Sequence, residues 1–133
     1  MTLSACGLLA GCGGSSKQDS APTASSGERG ILATVDQLQT ASRAGDGKRI
    51  CTDIFTRRLV ASIEATAGRK CAKEVRAKLF SPAEEISVGR DIRVAGTQAT
   101  ATIREQNGNL SKLFMVKQSG SWRIDRVQPE GKG

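Results

Sequence analysis

The chain of 133 residues contains no histidine and no tyrosine. Without His the commonest general base and the commonest metal ligand are both missing, which removes most hydrolase and zinc-site readings. Aromatic side chains are scarce, confined to Phe55, Phe80, Phe114 and Trp122. The core must therefore be built from Ile, Leu, Val and Ala. This argues against a ladder of exposed rings for stacking sugars or nucleobases. No apolar run approaches the roughly 20 residues of a membrane-spanning helix. No metal site, cofactor or catalytic group is expected from the residues present.

Positive charge is abundant, with a net charge of +7. It suits an anionic partner such as acidic lipid head groups, cell-wall polymer or nucleic acid. The charge is densest in the middle of the chain, where Lys48, Arg49, Arg57, Arg58, Arg69, Lys70, Lys73, Arg76 and Lys78 stand against Asp53, Glu64 and Glu74. One reading is a surface resting on anionic head groups, at about 1 kcal/mol per basic residue near such a membrane. The plainer reading is a solvated face. Nucleic-acid binding would rest on charge alone, without a binding motif, and is not expected.

Residues 1–12 are uncharged, small and apolar, and end in Leu9-Ala10-Gly11-Cys12. This resembles the lipobox of bacterial lipoproteins, whose Cys thiol carries the membrane anchor, and identifies Cys12 as the lipidation site. Leu3-Ser4-Ala5-Cys6 is a second acceptable lipobox, so Cys6 is the alternative. A signal peptide needs a basic stretch and a longer apolar stretch ahead of the cleavage site. Translation is therefore expected to start upstream of Met1. The competing reading is an apolar N-terminal segment of no function. Residues 13–30 are Gly, Ser, Ala, Thr and Pro with scattered charge, the composition of a flexible linker of roughly 20–25 Å reach.

Residues 31–128 carry the pattern of a folded α+β domain. Ile31, Val35, Leu38 and Ser42 share one helical stripe, with Leu32 and Ala41 beside it, and Gly45-Asp46-Gly47 stops the helix. A second helix is expected to run through Ile50, Cys51, Ile54, Phe55, Leu59, Val60, Ile63 and Ala67 as far as Gly68. A third carries Cys71, Val75 and Leu79, and Ser81, Pro82 and Glu84 read as a capped single turn. Cys51 and Cys71 fall on inward stripes. In an exported chain they are expected to form a disulfide; in a cytosolic one they would be two buried thiols.

The C-terminal third alternates as strands. Ile86, Val88, Ile92 and Val94 share a parity broken at Gly89-Arg90, where a bulge is expected. Ala99, Ala101 and Ile103 oppose Thr100, Thr102 and Arg104. Asn107-Gly108 predicts a type I′ hairpin turn. Leu110 to Lys117 reads as a central strand, and Trp122 and Ile124 face opposite to Arg123 and Asp125 in the last one. Residues 129–133 are expected to be a disordered tail.

A helical first half, the exit at Ala44-Gly45-Asp46, a long meander and the terminal Gly120-Ser121-Trp122-Arg123-Ile124-Asp125 together resemble the NTF2-like (cystatin-like, SnoaL-type) superfamily. Within it, the similarity points to small actinobacterial lipoproteins with a Cys pair in the helices. The resemblance implies helices packed on a curved four-stranded antiparallel sheet that forms a cone with a pocket. It also implies a homodimer formed through the sheet. Catalytic relatives place His, Asp or Tyr in the cone, and here only Asp remains. Asp125 would be the acid or base of a SnoaL-like enzyme acting on a small molecule; the structural alternative is pairing with a neighbouring strand's Arg or capping a turn. Arg90 and Arg104 would offer guanidinium groups to an anionic ligand, or be rim charges. Trp122 would line the pocket or fill the core. The expected function is a non-catalytic binding module on the extracytoplasmic face of the cell membrane. Its anchor is lipid and its partner an anionic envelope component, a small ligand or a protein.

Overall fold

A computed structural model describes residues 25–79, 86–105 and 107–132. Helix α1 spans Ser26–Arg43 and begins five residues before the apolar pattern predicts, inside the expected linker. The reason is a capping box. Glu28 donates its N–H to Ser25 Oγ at 3.2 Å, and Ser25 donates its own to Glu28 Oε2 at 2.7 Å. Two of the orphan donors of the first turn are thereby satisfied without any apolar residue. Ile31, Val35, Leu38 and Ala41 form the buried stripe, while Leu32 remains exposed.

The expected second helix is broken in two. Gly47–Arg49 form a short helix α2, capped by Asp46, whose carboxylate accepts the Arg49 N–H at 3.0 Å. Ile50–Ile54 widen into a π-helical turn, and Phe55 is extended, with φ −88° and ψ 150°. Thr56 then caps α3, Arg57–Ala67. The apolar spacing runs on through this break because both sides of it pack on the same body, so periodicity alone does not report it. Gly68 ends α3 in the left-handed region at φ 66°. The Glu64 carboxylate accepts the Cys71 N–H at 3.0 Å, at the start of α4, Cys71–Glu74, which passes into a second π-helical turn at Val75–Leu79. Cys51 and Cys71 are joined as a disulfide that ties the first π turn to α4.

The sheet has four strands in the order β1-β2-β3-β4, antiparallel throughout: Ile86–Ala95, Gln98–Glu105, Asn109–Gln118 and Ser121–Lys132. The register shifts between Val88 and Ile92, where the sequence predicts a bulge. The turns are allotted differently from expectation. Among the described residues the one non-glycine with positive φ is Ser119, at 49°, followed by Gly120 at 80°. The two-residue hairpin with both φ positive therefore lies between β3 and β4, where Gln118 pairs with Ser121. At the hairpin between β2 and β3 the Gly108 N–H bonds the Glu105 carbonyl at 2.9 Å, and the Asn107 carboxamide accepts the Asn109 N–H at 2.8 Å. Asn107 thus uses its side chain instead of a left-handed backbone, a local bond that Asn forms readily in turns.

The expected tail is also strand. Asn109 pairs with Lys132 and Ser111 with Pro129. Pro129 is tolerated because β4 is an edge strand.

One face of the sheet is core. Ala101, Ile103, Leu113 and Ile124 are fully buried there against Ile31 and Leu38 of α1 and Ile54 and Phe55 of the first π turn and its exit. Strand β2 alternates buried and half-buried positions along Ala99 to Ile103, as a sheet with one covered face should. The opposite face carries Thr100, Thr102, Phe114 and Val116, half-buried.

Candidate functional site

Trp122-Arg123-Ile124-Asp125 is the point where the helical half is fastened to the sheet, and each residue takes a different element. Trp122 is buried under α1. A Cβ added at Gly30 would lie 2.6 Å from its Cδ1, and the Thr34 hydroxyl donates to its carbonyl at 3.2 Å. Arg123 Nη1 donates to the Thr52 carbonyl of the π turn at 2.8 Å. The Ile124 carbonyl accepts the Thr56 N–H at 2.9 Å, beside an isolated parallel bridge between Ile124 and Phe55. Asp125 reaches α3: its Oδ1 accepts the Thr56 hydroxyl at 2.8 Å and Arg58 Nε at 3.2 Å, and its Oδ2 pairs with Arg58 Nη2.

The Asp125 side chain is only 15% exposed. Burial pushes its carboxyl up, but the bonds from Arg58 and Thr56 and the charges of Arg58 and Arg126 together outweigh burial and hold the group below its ordinary value. A general base at neutral pH needs the opposite tuning. Asp125 is an ionised structural acceptor, paired with an Arg from a helix and not from a neighbouring strand.

Two grooves meet at this ion pair and share Arg58, Gln98, Val116 and Asp125. The first, of about 430 Å³, lies on the sheet face turned away from the core, over Thr100, Phe114 and Arg126. The second, of about 930 Å³, is an open trough between α3 and the sheet ends, over Thr97 and Lys117. A third, about 410 Å³, lies between Asp36 and Gln39 of α1 and Ser87, Arg104 and Glu105.

The residues singled out from sequence are not brought together. Trp122 is core. Arg104 pairs with Leu110 of β3, whereas Asp125 lies beside Phe114 and Met115, roughly 15 Å further along at strand spacing. Arg90 falls within β1, and its side chain lies outside the described residues. Cys6, Cys12 and the turn at Ser81-Pro82 also lie outside them.

Arg58, Arg93 and Arg126 were not legible as site residues. Arg58 was hidden by the helix expected to run straight through Phe55. Arg93 and Arg126 are brought into one groove only by strand register. Among the described residues no group of three His, Cys, Asp or Glu side chains is placed to hold a metal ion, and no helix is long and apolar enough to cross a membrane.

Comparison of the chain with protein-family models and with curated proteins gave no match. A solved structure, that of an NTF2-like protein of unknown function from Shewanella baltica OS155, is similar over 81% of this chain and 100% of its own. The TM-score is 0.52 and the identity 15%. At that identity the likeness speaks for architecture alone, and it agrees with the helices laid on one face of an antiparallel meander: the chain has the NTF2-like fold.

Proposed function

We propose that this protein is a non-catalytic binding module, tethered by lipid at Cys12 to the extracytoplasmic face of a bacterial membrane. The observation that carries the address is the Cys51–Cys71 disulfide. Such bonds persist in oxidising compartments and are rare in the cytosol. The lipobox Leu9-Ala10-Gly11-Cys12 and the linker that follows are what a displayed domain requires. With α1 starting at Ser26, the linker between anchor and domain is residues 13–25.

The binding role is supported by the state of Asp125. Its oxygens are taken by Thr56 and Arg58 and its charge is stabilised, which leaves a SnoaL-like proton abstraction without its base. The grooves beside it remain open to a partner.

The test is metabolic labelling with a radioactive fatty acid, followed by detergent phase partition. Native protein should carry label and enter the detergent phase, Cys12→Ser should lose both properties, and Cys6→Ser should keep them. Native protein found wholly in the aqueous phase and unlabelled would overturn the anchor. A SnoaL-like turnover abolished by Asp125→Asn in a folded protein would overturn the non-catalytic reading.

A further inference from the structure

The outer-face groove has an organisation that the sequence pattern does not announce. Arg93 pairs with Thr100, Thr100 with Phe114, and Phe114 with Arg126. These four residues form a single cross-strand row spanning the whole sheet, with an arginine on each edge strand and a hydroxyl and a ring between them. All four line the groove of about 430 Å³, which lies within the size range of small-ligand sites. Directly opposed residues on one sheet face lie close enough for their side chains to act on a common object.

The row is built to hold charge above an apolar floor. Arg126 already leans inward, its guanidinium carbon 3.8 Å from the centre of the Phe114 ring. A cation stacked this way is steadied by the ring while its N–H donors stay free at the edges. Asp125 is the one carboxylate among the lining residues, and its oxygens are turned to Thr56 and Arg58. Its charge is matched locally by Arg58, leaving the groove with the excess charge of Arg93 and Arg126. Phe114, Val116 and Ala95 supply apolar contact.

We propose that this groove, on the sheet face opposite the core, is a binding site for a small organic anion: a carboxylate or phosphate head on a flat or apolar body. The head is held between the Arg93 and Arg126 guanidinium groups and the Thr100 hydroxyl. The body lies on Phe114 and Val116. The proposal rests on the reading of the domain as a binding module but not on the lipid anchor, so loss of fatty-acid label and loss of ligand binding are separate readouts.

The experiment is isothermal titration of the oxidised full-length protein with 1-naphthyl phosphate, 1-naphthoate, inorganic phosphate and neutral 1-naphthol. Amide chemical-shift mapping locates the site. At least one of the two aromatic anions should bind saturably with shifts at Thr100, Phe114 and Arg126, and the tighter of them names the head group. Inorganic phosphate and naphthol should each bind at least about tenfold more weakly, since each lacks one half of the recognition. Arg93→Gln and Arg126→Gln should each weaken binding about tenfold, the usual cost of losing a charge-assisted hydrogen bond. Arg49→Gln, which removes an equally exposed charge on α2, should leave it unchanged. Naphthol binding as well as the anions, Arg49→Gln weakening binding as much as Arg126→Gln, or no saturable binding by either aromatic anion would overturn the proposal.

Discussion

Thr56 and Asp125, 69 positions apart, share one hydrogen bond of 2.8 Å that joins the cap of a helix to an edge strand. The Thr56 hydroxyl donates its proton to Asp125 and accepts the Leu59 N–H at 3.1 Å through its oxygen. One buried hydroxyl thus both starts α3 and fixes where α3 sits against β4. This explains why the chain leaves the helix at Phe55 instead of continuing.

Thr56→Val keeps the shape of the side chain and removes both bonds. The expected loss is about 1–2 kcal/mol, combining a missing N-cap with one hydrogen bond fewer to Asp125 Oδ1, which keeps Arg58 Nε. Thr56→Ser should recover most of it. Urea unfolding of the two variants checks this, and a loss in Thr56→Ser as large as in Thr56→Val would show that the methyl group matters as much as the hydroxyl and overturn the assignment.

Asp125→Asn should cost about 1 kcal/mol at pH 7, a modest figure because the Arg58 partner is mostly exposed. The sign of the pH dependence follows from the lowered pKa in the folded state. The stabilisation is complete above the ordinary carboxylate range and is lost as pH falls through and below about 4. The stability gap between native protein and Asp125→Asn should therefore hold from pH 8 to about 5 and close on further acidification. A gap that widens in acid would contradict the assignment.

Reducing the Cys51–Cys71 disulfide, or replacing both residues by Ala, releases a constraint between positions 20 apart. Chain entropy gives an expected loss of about 3 kcal/mol. Cys71 is also buried against Val75 and Ile50 in the same core cluster, so the reduced protein should remain folded but with a lower denaturation midpoint. Thermal melts with and without reductant make the comparison, and an unchanged midpoint would mean the bridge contributes no constraint.

Among the described glycines, Gly47 and Gly30 leave the least room for a side chain. A Cβ at Gly47 would lie 2.3 Å from the Ala72 carbonyl oxygen, and one at Gly30 would lie 2.6 Å from the Trp122 ring. Overpacking of this kind costs about 1–3 kcal/mol. Gly47→Ala should be the worse of the two, because a backbone carbonyl yields less than the edge of a side chain. Gly30→Ala alone should also shift the emission of Trp122, the sole tryptophan. Fluorescence and melting of both variants separate these effects.

Much of the domain is written locally. Apolar stripes in α1, alternation in β2 and the break at Gly89-Arg90 all predict what the structure contains, because each depends on neighbours within a few residues; the Cys pair, 20 positions apart, was legible from the inward stripe each Cys occupies. The capping box at Ser25 and Glu28 is equally local, but it lies in a stretch whose small and polar residues read as linker.

Tertiary structure decided the remainder. The exit at Phe55 is invisible in the apolar period, since Ile50 and Ile54 of the π turn are buried in the core and Leu59, Val60 and Ile63 of α3, half-buried, pack against that same core. Asp125 could be base, cap or ion-pair partner until packing placed Thr56 and Arg58 beside it. Arg93, Thr100, Phe114 and Arg126 are scattered over four strands and share a row only once register is set. By itself the sequence determined where the apolar stripes and alternating runs lie and which side of each is apolar, but not the start of α1, the break at Phe55 or the extension of β4 to Lys132. Which polar groups meet across those segments depended on how the elements pack, because contacts between distant positions follow from shape and register and not from local propensity.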